Sequence, residues 1–152
     1  MQRIAITGAS GLIGTALVGK LKSDGYTVQR LVRRPTVSPE EIFWNPAQSE
    51  IDLDSLAGVD AVIHLAGAGV GDKRWTKKYK SEILNSRLLG TTTIANAVSQ
   101  VKAKVFISSS AIGWYGETGN RAVIESDRGG GDFLAAVCRE WEAAAELAGD
   151  VR

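Results

Sequence analysis

The stretch ITGASGLIG (6–14) constrains this chain more than any other, because glycine recurs at 8, 11 and 14 directly after a short apolar run. Glycine inside a helix costs about 1 kcal/mol relative to alanine, so this spacing, where a helix is about to begin, needs a reason in the backbone or in a ligand. RIAIT (3–7) reads as a strand and the run after Gly11 as a helix, so the glycines join the first strand to the first helix. That is the setting of a phosphate-binding turn rather than of an ordinary glycine-rich loop. In it Gly8 permits the tight turn, Gly11 lets a pyrophosphate approach the backbone, and Gly14 lets the helix lie close on the strand. The helix N-terminus adds unpaired N–H groups and a partial positive charge.

Downstream, apolar runs alternate with helical patterns, the signature of repeated βα units around a parallel sheet buried on both faces. The pattern predicts strands at 3–7, 27–33, 42–45, 61–67 and 104–110, and helices over about 12–23, 76–99 and 132–148. The long middle helix carries Ile83, Leu84, Leu88, Ile94, Ala95 and Val98 on one buried face. GGG at 129–131 reads as a loop.

Composition closes off several function classes. The 152 residues fit one globular domain, and a net charge of +1 offers no field for nucleic acid or an anionic membrane. The four tryptophans are scattered, with no platform for stacking bases. One cysteine, Cys138, and one histidine, His64, leave no internal disulfide, no cysteine-rich zinc site and no pair of histidine ligands, so no metal site is expected. Ser-His-Asp chemistry is disfavoured by the same count. His64, inside an apolar strand, reads as a hydrogen-bonded core residue. Cys138 shares a helical face with Leu134, Val137 and Trp141 and reads as a buried structural thiol. No apolar run reaches membrane-spanning length, and MQRIAITG lacks the core of a signal peptide, so a cytoplasmic location is expected.

The dinucleotide is read at the end of the second strand, where an acidic side chain would bind the free ribose of NAD. This chain has VRRP there. Arg33 and Arg34 carry no acceptor for a hydroxyl but would pair with a 2′-phosphate through charge-assisted bonds, which favours NADP. The alternative is that both arginines merely solvate a strand end.

TGASGLIG, HLAG (64–67) and SSSAIGWYG (108–116) resemble the extended short-chain dehydrogenase/reductase superfamily. DKRWT (72–76), NSRLLGT (85–91) and GDFLAAVCREWE (131–142) are similar to one atypical branch, the epimerase family protein group, also known as nucleoside-diphosphate-sugar epimerases and, in older usage, as SulA. The resemblance implies an α/β fold, a doubly wound parallel sheet of Rossmann type, with NADP across the strand carboxyl ends and a small-molecule substrate such as a nucleotide sugar. For the cofactor it implicates Thr7, Gly8, Ser10, Gly11, Leu12, Ile13 and Gly14, then Val32, Arg33 and Arg34, then Leu65, Ala66 and Gly67. It also implicates Glu82 and Arg87, which a solvated ion-pair face of the middle helix would explain equally well.

The superfamily commonly uses a tyrosine as acid/base with a lysine four residues on that lowers its pKa. That pair is missing: the residues four past Tyr26, Tyr79 and Tyr115 are Arg30, Ile83 and Gly119. Ser110 stands in the place of the superfamily's orienting serine, with Tyr115 in the loop beyond it; these are the catalytic candidates, though Tyr115 could simply pack its ring. Members of the group are about twice this length. Residues 1–152 are therefore expected to be the NADP-binding half of such a protein, with the sheet incomplete where GDVR begins another strand. Two readings stay open, an oxidoreductase or epimerase of atypical mechanism and a non-catalytic NADP-binding module.

Overall fold

The structure, a computed structural model, describes residues 2–152. Five parallel strands, β1 (Arg3–Thr7), β2 (Thr27–Val32), β3 (Glu41–Asn45), β5 (Ala61–His64) and β6 (Val105–Ser108), form one sheet with a two-residue antiparallel edge strand, β4 (Glu50–Ile51). The order is β4-β3-β2-β1-β5-β6. From β1 the chain winds outward through β2 and β3, then returns to the other side of β1 for β5 and β6. The reversal falls between β1 and β5, and a crevice at their carboxyl ends is the usual ligand position in such a sheet.

Because β1 is central, both its faces are covered and its sequence is apolar without alternation. Ile4 and Ile6 pack with Val28 against Leu17, Val18 and Leu21 of α1 (Leu12–Ser23). Ala5 points the other way, into the larger core with Leu31, Ile42, Trp44 and Val62. There α3 (Lys77–Val101) lays down Ile94, Ala95 and Val98. The expected face of α3 divides between two partners: Ile94, Ala95 and Val98 meet the sheet, whereas Ile83 and Leu84 join Val137 and Phe133 of α4 (Phe133–Ala145). Gly90 lies where the helix meets the sheet, and a Cβ there would make ordinary van der Waals contact with His64 and Trp44 at 3.5 and 3.7 Å.

Several expected boundaries move. β5 stops at His64 rather than 67, because the Leu65 and Ala66 N–H groups turn away to the Thr7 hydroxyl. β2 stops at Val32, β6 spans 105–108, and a 3₁₀ turn (Glu146–Ala148) replaces the last helical turn expected of α4. β4 and the short α2 (Leu53–Leu56) were not expected. They depend on a 3₁₀ turn at Pro46–Gln48 that brings Ile51 beside Trp44, and on Asp52 capping Ser55, local devices too short for any periodicity. At the other edge no strand forms at GDVR, but the Phe106 N–H donates to the Arg152 carbonyl at 2.7 Å and Val151 packs on the main core. Among the described residues no helix is long and apolar enough to cross a membrane.

Candidate functional site

The glycine turn is built by close approach. Gly8 has φ 66°, and a Cβ there would stand 2.8 Å from the Leu65 carbonyl carbon. At Gly14 a Cβ would stand 2.2 Å from the Gly8 oxygen and 2.8 Å from the Ala9 Cα. Gly14 therefore seats the helix on the turn itself, a correction to the expectation that it would close on the strand. Gly11 is the N-cap of α1 and donates its N–H to the Gly8 carbonyl at 3.0 Å. Asp52, Thr76 and Asp132 cap the other α-helices with side-chain oxygens, but α1 has no side-chain cap and no acidic residue in its first turn. Its N-terminal N–H groups are thus left for solvent or an anion.

Behind the turn, Thr7 is fully buried. Its hydroxyl oxygen accepts the N–H groups of Leu65 and Ala66 at 3.1 and 3.2 Å and lies 2.7 Å from His64 Nδ1. Two donors on that oxygen leave its one hydrogen for Nδ1, which places the imidazole proton on Nε2. Burial pushes the His64 pKa down to about 4, so the ring is neutral. Trp44 meets it edge-on with centroids 6.0 Å apart. Thr7 thus shapes the 65–66 backbone and offers no group to a ligand.

A cleft of about 1000 Å³ opens at the carboxyl ends of β1, β2 and β5. Gly8, Ser10 and Gly11 line it from the turn, Val32, Arg33 and Arg34 from β2, and Leu65, Ala66 and Gly67 from β5, with Glu82 on α3. Thr7, Leu12, Ile13, Gly14 and Arg87 do not line it. Gly14 is buried behind the turn, whereas Leu12 and Ile13 stand exposed on the first turn of α1. Arg87 is half-buried and spent on structure: Nη1 donates to the Ala68 and Ile83 carbonyls at 2.8 and 3.2 Å, and the guanidinium lies 4.9 Å from the Trp141 ring centroid. It braces the turn at 67–68. Glu82 faces solvent, 3.5 Å from Lys73.

The two arginines after β2 differ. Arg33 is exposed and has no hydrogen bond or ion pair among the described residues. Arg34 binds Glu41 with both terminal nitrogens, at 2.9 and 2.7 Å. The Glu41 side chain is only 1% exposed, and the Arg34 hydrogen bond together with the Val37 N–H holds its carboxyl at a pKa of about 2. Sequence reading missed Glu41. Its signal is the parallel register Arg30↔Glu41, which stands an acid beside a basic strand end. Tyr79 and Ser86 were missed too. They fall on the Glu82 face of α3, where the Tyr79 hydroxyl donates to the Gly69 carbonyl and Ser86 Oγ accepts the Ala68 N–H at 3.0 Å.

Ser110 and Tyr115 lie outside the cleft lining. After β6 the chain turns toward α4, where Gly113 packs on Leu134 and Cys138, and the exposed Ser110 hydroxyl donates to Glu142. Tyr115 ends a 3₁₀ turn (Ile112–Tyr115), half-buried, and its hydroxyl has no hydrogen-bond partner among the described residues. Cys138 is buried, its thiol pKa raised chiefly by burial, with Sγ 3.7 Å from the Ala111 carbonyl.

The glycine turn, the open helix end and the crevice beside them agree with a comparison against known families: the model for the NAD dependent epimerase/dehydratase family matches residues 4–136. The chain belongs to that family. Within it, an epimerase family protein of Mycobacterium leprae is 43% identical over 141 residues, 93% of this chain and 46% of that protein. The crystal structure of the nucleoside-diphosphate sugar epimerase from Corynebacterium glutamicum superposes with a TM-score of 0.83 at 38% identity, covering 99% of this chain and 31% of that one. That of the human epimerase family protein SDR39U1 (isoform 2) with NADPH gives 0.82 at 29% identity, covering 99% of this chain and 50% of that one. The chain spans about half the length of the curated relatives it matches.

Proposed function

We propose that this chain is the NADP-binding half of an epimerase or oxidoreductase acting on a small molecule such as a nucleotide sugar. One observation carries the reading: the uncapped N-terminus of α1, the Gly8–Gly11 turn and the unpartnered Arg33 face a single cleft large enough for a dinucleotide. The residues fit the group. Gly8 and Gly11 bring no side chain to the cleft, α1 offers free N–H groups for a pyrophosphate, and Arg33 stands at the end of β2, where a 2′-phosphate would be bound. NADP, when bound, accepts or returns a hydride. The protein's part is to hold it: Thr7 fixes the 65–66 backbone, Arg87 braces the 67–68 turn, and Leu65 and Ala66 border the adenosine side. The human relative's structure with NADPH supports this choice of cofactor, and the nucleoside-diphosphate sugar epimerase from Corynebacterium glutamicum supports the substrate class.

In this reading Ser110 and Tyr115 are substrate contacts completed by a second half of the protein. Their position outside the cleft, with no tyrosine and lysine pair in the sequence, favours the second reading, a module that binds NADP without turnover. Both readings require NADP to bind. Titration of the chain with NADP and NAD is expected to give tighter NADP binding, and Arg33→Ala to weaken NADP by roughly 10- to 100-fold while leaving NAD nearly unchanged. Equal affinities in the unsubstituted chain would end the NADP reading.

A further inference from the structure

Arg34 is tied to the Glu41 carboxylate, yet only half of its guanidinium is committed. A guanidinium carries one donor edge at its end and a second along its side, shared by Nε and Nη2. Glu41 occupies the end edge at 2.9 and 2.7 Å, and the Pro35 carbonyl takes a further Nη1 hydrogen at 2.9 Å. Nε–H and the second Nη2 hydrogen have no acceptor among the described residues. Glu41, in turn, cannot drift: it sits on β3 with its side chain 1% exposed, accepts the Val37 N–H at 2.9 Å, and is held by Arg30 Nη2 at 3.2 Å. Arg30, Arg33, Arg34 and Glu41 all line the same corner of the cleft, so cationic groups outnumber the carboxylate there.

We propose that Glu41 is the positioning residue for dinucleotide selection: it grips Arg34 by one edge and so presents the other, beside Arg33, as a ready fork for a phosphate monoester on the ribose. This rests on reading the cleft as an NADP site and adds how the preference is set. Without Glu41 a long exposed side chain would sample many rotamers and lose that freedom on binding. With it, the fork is formed in advance, and the charge Glu41 removes is more than replaced by Arg30 and Arg33.

The test compares binding of adenosine 2′,5′-bisphosphate with 5′-AMP by calorimetry, since the ligands differ only at the phosphate in question. The unsubstituted chain is expected to prefer the bisphosphate. Glu41→Gln turns an amide donor toward the guanidinium donors, and is expected to lower that preference by about fivefold with 5′-AMP affinity unchanged. Arg34→Lys keeps the charge and the pairing with Glu41 but has no second edge, and is expected to lower it as far; this arm stands even if Glu41→Gln fails to fold. Adding Glu41→Gln to Arg34→Ala should change nothing more, because Glu41 acts through Arg34. A preference unchanged in Glu41→Gln, or raised because a repelling charge is gone, overturns the proposal alone. An unsubstituted chain without preference overturns the NADP reading as well.

Discussion

Thr7 and His64 form the polar hinge on which the site turns. Thr7 serves two backbone donors and one imidazole from within the core, and no solvent can replace any of them. Because burial holds the His64 pKa at about 4 against an ordinary 6.5, the unfolded chain takes up the proton first as pH falls. The contribution of this residue to stability is therefore whole above about pH 6.5 and is lost progressively toward pH 4, by about 1.4 kcal/mol per pH unit and about 3 kcal/mol in all. Urea unfolding at a series of pH values between these limits should show a shallower acid slope in His64→Asn, which keeps an acceptor for Thr7, than in the unsubstituted chain. Identical slopes would mean that His64 is accessible to protons in the folded state.

At the scale of the element, α1 holds two glycines with opposite roles. A Cβ at Gly14 would stand 2.2 Å from the Gly8 carbonyl oxygen, whereas nothing stands within 4 Å of a Cβ at Gly19. Gly14→Ala is expected to destabilise the fold by about 1–3 kcal/mol and to distort the glycine turn. Gly19→Ala should stabilise it by about 1 kcal/mol through helix propensity alone. Thermal unfolding of both variants checks the pair, and a Gly14→Ala chain as stable as Gly19→Ala would show that the turn is not packed as described. The sequence signalled that Gly14 was special through its spacing, but not what it touches, because the contact runs to a loop carbonyl whose position no periodicity encodes. The same limit hid Glu41, Tyr79 and Ser86, whose roles come from register and from loop backbone brought over the cleft. The main parallel strands and long helices were legible because burial on both sheet faces writes itself into continuous apolar runs. Ser110 followed the strand correctly to the sheet's carboxyl end, but its side chain's turn toward Glu142 depends on α4, which is remote in sequence.

Over the whole molecule, the reversal of winding between β1 and β5 gathers the glycine turn, the ends of β2 and β5, and one face of α3 around a single cleft, while the chain after β6 turns away to α4. On the proposed reading, the groups that would hold NADP are thereby collected while Ser110 and Tyr115 are left apart, for a second part of the protein to complete around the nicotinamide. Exposed apolar side chains near that side, Ile107 and Ile112, are the surface such a part would cover in this reading. The most direct measurement is a crystal structure of this chain grown with NADP. It should place the pyrophosphate beside Gly11 on the free N–H groups of the first turn of α1, with the 2′-phosphate within hydrogen-bond distance of Arg33 and of the free edge of Arg34. A dinucleotide seated elsewhere, or one whose 2′-phosphate points away from both arginines, would contradict it.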